Sequence, residues 1–449
     1  MRQLFGTDGI RGIAGQPPLD KATIYSTGVA LAASLQSLHS PVRVLIGMDT
    51  RESGPWISST IAAGLRAGGA QVEFAGVITT PGIAYLTRLH EFSAGVVISA
   101  SHNPWQDNGI KIFGADGYKL PDEVELAIEK EIFLHRDGDG RSGDDDTTLL
   151  KEQPEYRHEY VRFLQSAVPA LDLRGVSLVL DCANGAASAV AGELFAGYGG
   201  KVTLTHAAPD GRNINEHCGA LHPEIVAAEV VAQSADIGIT LDGDADRALF
   251  ADANGHVING DAVMLVAARD MKQAGTLTGD TLVATTMSNM GLEAALKRSG
   301  LRMLRAPVGD KYVLEEMRRS NAQLGGEQSG HILFAGRSTT GDGLLTALLL
   351  LDIVSRSRKS LEELTSDLKV YPQVIVNVRV REKRPLTDIP AVTRTISSAE
   401  RELADSGRVV VRYSGTEKLA RVMIEAESEE AMRRHAEAIA SAIRSELGA

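Results

Sequence analysis

Val42-Arg-Val-Leu-Ile-Gly-Met-Asp-Thr-Arg-Glu-Ser-Gly54 opens as a β-branched apolar run and closes in a polar, Gly-containing turn. A short apolar run bounded by turn residues reads as a buried strand, and beyond Gly54 the spacing becomes helical. The same phrase recurs twice. Val176-Ser-Leu-Val-Leu-Asp leads into Asp181-Cys-Ala-Asn-Gly185, and Leu282-Val-Ala-Thr-Thr leads into Thr286-Met-Ser-Asn-Met-Gly291. Gly95-Val-Val-Ile-Ser99 is a further buried run. Strands alternating with helices predict an α/β fold, and the recurrence predicts three similar mixed α/β units without a residue-level repeat. From Pro372 the order changes to strand 374–380, helix 388–405, strands 409–413 and 421–426, and helix 429–447. That is a smaller C-terminal α+β domain. The acidic, Gly-rich stretch from Arg136 to Thr148 reads as a surface linker. The expected division is 1–150, 151–254, 255–367 and 368–449.

A chain of 449 residues suits two to four such domains, at roughly 100–200 residues each. The 46 Lys plus Arg against 58 Asp plus Glu leave a net charge of -12, which repels a polyphosphate and argues against a nucleic-acid partner. Two cysteines, Cys182 and Cys218, are too few for a disulfide scaffold and fit a reducing compartment. The opening MRQLFGTDGIRG lacks the basic and apolar regions of a signal peptide. Leu344 to Val354 is interrupted by Thr346 and Asp352 and falls short of the roughly 20 residues that span a bilayer. These features lead to the expectation of a soluble, cytoplasmic protein with no membrane partner.

Four segments carry chemistry. In Ile98-Ser-Ala-Ser-His-Asn-Pro-Trp-Gln-Asp-Asn-Gly-Ile-Lys111 an apolar strand ends in hydroxyls and an imidazole, where α/β folds present reactive groups. Ser101 is a candidate nucleophile, with His102 and Lys111 as neighbouring base or cation. The plain alternative is a Ser/Asn/Pro turn. Ile237-Gly-Ile-Thr-Leu-Asp-Gly-Asp-Ala-Asp-Arg247 sets Asp242, Asp244 and Asp246 two apart after a strand, and three such carboxylates suit a divalent cation such as Mg²⁺. An EF-hand is excluded, because its sixth position is Arg247 and its twelfth Ala253. Leu324-Gly-Gly-Glu-Gln-Ser-Gly-His-Ile332 flanks Glu327, Gln328 and Ser329 with glycines, which suits a polyhydroxylated ligand as well as an ordinary turn. Val409-Val-Val-Arg-Tyr-Ser-Gly-Thr-Glu-Lys-Leu-Ala-Arg421 joins two strands by a loop with Arg412, Ser414, Gly415 and Thr416. Hydroxyls, backbone N–H groups and guanidinium forks can hold a phosphate; a hairpin with incidental cations is the alternative. Gly6-Thr-Asp-Gly-Ile-Arg-Gly12 adds Arg11 in what reads as a flexible turn. Together the parts suit phosphoryl transfer on a sugar phosphate.

The motifs Ser-Ala-Ser-His-Asn-Pro (99–104), Asp-Gly-Asp-Ala-Asp-Arg (242–247), Gly-Glu-Gln-Ser-Gly-His (326–331) and Arg-Tyr-Ser-Gly-Thr-Glu (412–417), in this order, resemble the α-D-phosphohexomutase superfamily over nearly the whole chain. Phe-Gly-Thr-Asp-Gly-Ile-Arg-Gly (5–12), Val-Gly-Asp-Lys-Tyr-Val (308–313) and Thr-Thr-Gly-Asp-Gly (339–343) are most similar to its bacterial phosphoglucosamine mutase branch. The resemblance implies four domains around a central cleft and a phosphoserine at Ser101. It further implies Mg²⁺ held by that phosphate with Asp242, Asp244 and Asp246. The implied reaction interconverts glucosamine 6-phosphate and glucosamine 1-phosphate through glucosamine 1,6-bisphosphate or a similar hexose bisphosphate, feeding UDP-N-acetylglucosamine and cell-wall precursors. Arg412, Ser414, Gly415, Thr416 and Arg421 would hold the non-reacting phosphate, and Glu327, Ser329 and His331 the sugar. Lys111, His102, Arg11 and Arg247 would move the proton and stabilise charge, with Lys111 as general base if burial and nearby cations lower its pKa. The open alternatives are phosphomannomutase or phosphoglucomutase chemistry, a metal-dependent phosphatase, and a silent sugar-phosphate-binding regulator. The resemblance leaves room for a homodimer.

Overall fold

A computed structural model describes residues 4–6, 8–38, 40–138, 150–414 and 418–448, with backbone alone for 136–138. The chain forms two compact units: Met1–Met287 with Met303–Thr365, and Ser288–Arg302 with Ser366–Ala449.

The first unit is built on the expected runs, each ending within a residue or two of its predicted place. The six-stranded sheet runs, from edge to edge, Phe5–Gly6, Gly9–Ile13, Asp107–Gly114, Ala94–Ile98, Arg43–Met48 and Gln71–Val77. Its last three strands are parallel and the others antiparallel. Parallel strands are covered on both faces, which is why Ala94–Ile98 is buried at every residue. Helices Lys21–Gln36 and Gly54–Ala67 supply Ile24, Leu31, Ile57 and Ile61 to the core against Ile46, Val96 and Ile98. The five-stranded sheet has the order Val257–Ile258, Ala248–Ala251, Ile237–Leu241, Ser177–Asp181, Lys201–Thr205. The four-stranded sheet has the order Arg302–Ala306, Thr281–Thr285, Leu324–Gly326, Ile332–Phe334. All three combine parallel strands with antiparallel partners.

Two expectations need correction. Gly6–Gly12 is an edge hairpin rather than a flexible turn, and Arg11 lies on its second strand opposite Gly109. Among the glycines that suggested flexibility, Gly9 instead permits close approach: a Cβ there would press into the Ile110 carbonyl. Lys111 likewise sits on strand Asp107–Gly114, opposite Val97, so the turn from 99 to 106 folds the chain back on itself. The expected linker begins inside helix Asp122–Gly138; its remainder lies outside the described residues.

The second unit is a three-stranded antiparallel sheet, Gln373–Arg379, Leu419–Ala426 and Gly407–Tyr413, covered by helices Pro390–Leu403 and Glu429–Leu447. Helix Met290–Arg298 joins it from earlier in the chain. Its N-cap Asn289 donates to Tyr371 O at 3.0 Å, and Met290 N–H donates to buried Glu425 at 3.1 Å. No helix among the described residues is long and apolar enough to cross a membrane.

Candidate active site

The turn after strand Ala94–Ile98 is held from below by one cation. Arg51, 1 % exposed, donates from Nε to Asp49 at 2.9 Å and from its two Nη atoms to the carbonyls of Ser101, Asn103, Pro104 and Asp107. A planar fork with five donors can satisfy this many carbonyls at once. Burial pushes the Asp49 carboxyl up, opposed by Arg51 and by the Ser99 hydroxyl at 2.6 Å. Asn215 adds donors to Ser101 O at 2.9 Å and Asn103 O at 3.1 Å. This bracket holds Ser101 at φ +53°, in the left-handed region, where a non-glycine residue is retained only when its surroundings over-determine it.

Ser101 Oγ, buried, donates to Asp242 Oδ2 at 2.6 Å and lies 3.3 Å from His102 Nδ1. Asp242, Asp244 and Asp246 follow strand Ile237–Leu241 on a turn whose Gly243 is pressed against Ser101 O, 2.6 Å from where a Cβ would be. Thr80, at the start of helix Thr80–Leu89, donates its hydroxyl to Asp244 Oδ2 at 2.5 Å and its N–H to Asp244 O at 3.0 Å. Oxygens of the three carboxylates lie within 4.8 Å of one another. Asp244 Oδ1 and Asp246 Oδ1 are buried without a hydrogen-bond partner. Orphaned carboxylate oxygens converging on one point fit a hard dication such as Mg²⁺. Burial, reinforced by the Asp246 and Asp244 charges, pushes Asp242 well above the carboxylate range.

Lys111 Nζ is 2.8 Å from Asp244, 3.1 Å from Asp8 and 3.4 Å from Asp246. Burial opposes its charge, but these carboxylates win and hold it well above the usual lysine range. The expectation that neighbouring cations lower its pKa is corrected: carboxylates surround it and favour its charged form. His102 goes the other way. Burial, then the Arg247 and Arg11 guanidiniums, push it down to about 4, so near neutral pH its ring is uncharged and able to accept a proton.

A cavity of about 390 Å³ opens above these groups, lined among others by Arg11, His102, Asp246, Arg247, Glu327 and His331. Arg11 Nε and Arg247 Nε are buried without a hydrogen-bond partner, which suits an anionic guest. Glu327 accepts from Gly309 N–H at 3.0 Å and from the Ser329 hydroxyl at 3.3 Å. His331 accepts the Gly341 N–H at Nε2, 3.2 Å, and turns Nδ1 toward Asp246 at 3.6 Å. Ser101, His102, Lys111, Arg11, Arg247, the three aspartates, Glu327 and His331 thus converge. Ser329 reaches the group through Glu327.

Several partners carry no motif. Lys119 bridges Asp8 and Asp310 across the cavity wall, while Arg51, Thr80 and Asn215 act from far along the chain. Only Thr79-Thr80-Pro81 announces itself, as a helix start with Thr79 capping Gly82 N–H.

In the second unit Arg412 and Arg421 face each other across paired strands. Like charges directly opposite are unfavourable in a sheet, and an anion would relieve them. Ser414 N–H donates to Leu419 O at 2.8 Å, and Lys383 Nζ donates to Ser414 O at 2.7 Å. Gly415 and Thr416 lie outside the described residues.

Models of the phosphoglucomutase/phosphomannomutase family match this chain domain by domain: α/β/α domain I over 2–137, domain II over 158–255, domain III over 259–371 and the C-terminal domain over 375–442. A phosphoglucosamine mutase of Koribacter versatilis is 60% identical, covering 100% of this chain and 98% of that one. A phosphoglucomutase/phosphomannomutase family protein of Burkholderia thailandensis shares the fold with TM-score 0.80 at 24% identity, over 99% and 98% of the two chains. N-acetylphosphoglucosamine mutase of Aspergillus fumigatus, solved with GlcNAc-6P and magnesium, aligns with TM-score 0.63 at 19% identity, over 99% and 96%.

Proposed function

The chain belongs to the phosphoglucomutase/phosphomannomutase family, and from that premise we propose that it is a cytoplasmic phosphoglucosamine mutase. It interconverts glucosamine 6-phosphate and glucosamine 1-phosphate through a phosphoserine enzyme and a bisphosphorylated sugar. The observation that carries this reading is the buried Ser101 hydroxyl, 2.6 Å from Asp242 and 3.3 Å from His102, which lines a cavity walled by Arg11, Arg247, Glu327 and His331. The amino sugar follows from the full-length likeness to the Koribacter enzyme.

In its working form Ser101 carries the phosphate. The sugar monophosphate enters with its free hydroxyl toward that phosphate and its own phosphate held by Arg412, Ser414, Gly415, Thr416 and Arg421. His102, neutral and beside Ser101 Oγ, takes the hydroxyl proton as the phosphoryl group moves from serine to sugar; the approaching dianions draw its pKa back up, which makes it a better base. Lys111, Arg11 and Arg247 hold charge on the transferring group. Asp242, Asp244 and Asp246, with the serine phosphate, are the residues that would hold Mg²⁺, which when bound supplies charge neutralisation at that phosphoryl group. The bisphosphate turns within the site while Glu327, Ser329 and His331 hold its ring. Its other phosphate then returns to Ser101 as the proton returns from His102. Each of the segments 1–150, 151–254, 255–367 and 368–449 contributes one part: nucleophile, cation cradle, sugar loop and phosphate loop.

The test is a coupled assay of glucosamine 6-phosphate conversion, with and without Mg²⁺ and a glucose or glucosamine 1,6-bisphosphate primer, beside the glucose and mannose phosphates. Fastest turnover of the amino sugar is expected. Preference for mannose or glucose phosphate would reassign the substrate, and ligand binding without turnover or serine phosphorylation would make the protein a regulator.

A further inference from the structure

The carboxyl edge of the five-stranded sheet holds a second cluster that the reaction above does not use. Asp181 ends strand Ser177–Asp181, His206 directly follows strand Lys201–Thr205, and Cys218 lies on the connection beyond. A carboxylate oxygen, an imidazole nitrogen and the sulfur lie within 4.8 Å of one another. Asp181 and Cys218 are fully buried. His206 Nδ1 is also buried; it stands 3.2 Å from Asp181 Oδ1 yet makes no hydrogen bond. Beside it, the Thr205 hydroxyl is buried and likewise unpartnered.

Asp181 by itself can be explained as a turn organiser, since it accepts the N–H groups of Ala183 and Gly219 at 2.8 Å each and the Thr240 hydroxyl at 3.2 Å. That account leaves the buried Nδ1 of His206 without a hydrogen bond, an unfavourable state for a polar atom. It also leaves unexplained why His206 adopts φ +43°. Hydrogen bonds to a carboxylate do not prevent it from ligating; outer donors of this kind commonly orient metal ligands.

We propose that Asp181, His206 and Cys218 bind a zinc-type dication, separate from the Asp242–Asp246 cradle. The donor set decides the class of metal. Sulfur and imidazole favour a borderline-soft ion, whereas magnesium and calcium take oxygen ligands. A thiolate, a carboxylate and a neutral imidazole carry two negative charges between them, which one dication balances; the Cys218 proton leaves to solvent as the metal binds. The ion would tie together the ends of two strands and the loop carrying Asn215, whose amide braces the Ser101 turn. It is structural, and the inference stands whatever sugar the enzyme prefers.

The test uses the full-length protein stripped with a chelator, dialysed against excess Mg²⁺ and then given Zn²⁺ or Co²⁺. About one zinc per chain should be retained in the presence of Mg²⁺, and Co²⁺ should give a thiolate-to-metal charge-transfer band. Cys218→Ser should abolish the band and the retention. His206→Gln, at a half-buried position that tolerates the change, should weaken binding about ten- to a hundredfold. Asp244→Asn should leave both signals intact. A wild type that holds no zinc, or zinc held equally by wild type, Cys218→Ser and His206→Gln, overturns the proposal; if Cys218→Ser fails to fold, His206→Gln alone decides.

Discussion

Ser101, Asp242 and Asp244 are at most 1 % exposed, and the carbonyls of the serine turn are held by Arg51 and Asn215. Arg412, in the second unit, is exposed, Arg421 is half-buried, and the two cations face each other across one sheet. The contrast suits what the proposed function asks of each region. A transferring phosphoryl group needs a dry, preorganised surround in which charges act at low dielectric. A phosphate that is only held, and has to be released when the sugar turns, is served by guanidinium forks in water, where each contact is worth less.

The comparison breaks most decisively at the nucleophile. Ser101→Ala should lower turnover by at least about four orders of magnitude with an unchanged circular dichroism spectrum, and intact-mass measurement should show loss of the single phosphate expected on wild type. Phosphate on Asp242 instead would make this a phosphoaspartyl enzyme. Next in size is a buried acid of the first unit. Asp342 caps helix Gly343–Ser357 and accepts from Tyr160 at 2.8 Å. Burial pushes it up to about 6 from 3.8. A raised carboxyl binds its proton more tightly in the folded chain, so its contribution is greatest below pH ~4, falls as pH rises to ~6, and is absent above, an effect of about 3 kcal/mol. Asn at this position keeps an oxygen for the cap. Denaturant titrations of wild type and Asp342→Asn should therefore diverge across that window, with the variant more stable at neutral pH; parallel curves would refute the shift.

Arg51→Lys keeps the charge beneath the serine turn but loses the fork, leaving carbonyls without donors at about 1–3 kcal/mol each. It should lower kcat about a hundredfold with little change in KM, since it touches no substrate; a change confined to KM would count against the bracket. Asp244→Asn should raise the Mg²⁺ needed for half-maximal activity about tenfold, while an unchanged requirement would mean that the aspartates do not hold the metal. Smallest is Arg412→Ala. Relief of the cross-strand repulsion should stabilise the second unit by about 0.2–1 kcal/mol as KM for the sugar phosphate rises, and a loss of stability would show that the pair is balanced within the sheet.

Much of this was legible in the residues. Ser101 and the aspartates stand on turns directly after buried runs, where strand pattern and chemistry coincide, and the C-terminal elements were placed to within a few residues because their apolar spacing is regular. Partnership across the chain was not legible. Lys111 was misread because its charge is set by Asp8 and Asp246, more than a hundred positions away. Arg51 looked like a turn residue, since nothing local reveals that its fork ends under Ser101, fifty residues on. The glycine at 9 suggested looseness because its reason, backbone pressed against the Ile110 carbonyl, exists only in three dimensions.

Helix Met290–Arg298 donates its first N–H to Glu425, on a strand 135 residues further along the chain. During synthesis it leaves the ribosome well before the strand it bonds to, so that contact waits until the last strands emerge. A fragment cut at Ser366 would lack this helix and leave Glu425 without the Met290 N–H, whereas one that fuses 288–302 ahead of 366–449 would carry every segment of the unit. The last domain is thus contiguous in space and interrupted in sequence, and anyone trimming or permuting the gene should cut by the first map, not the second.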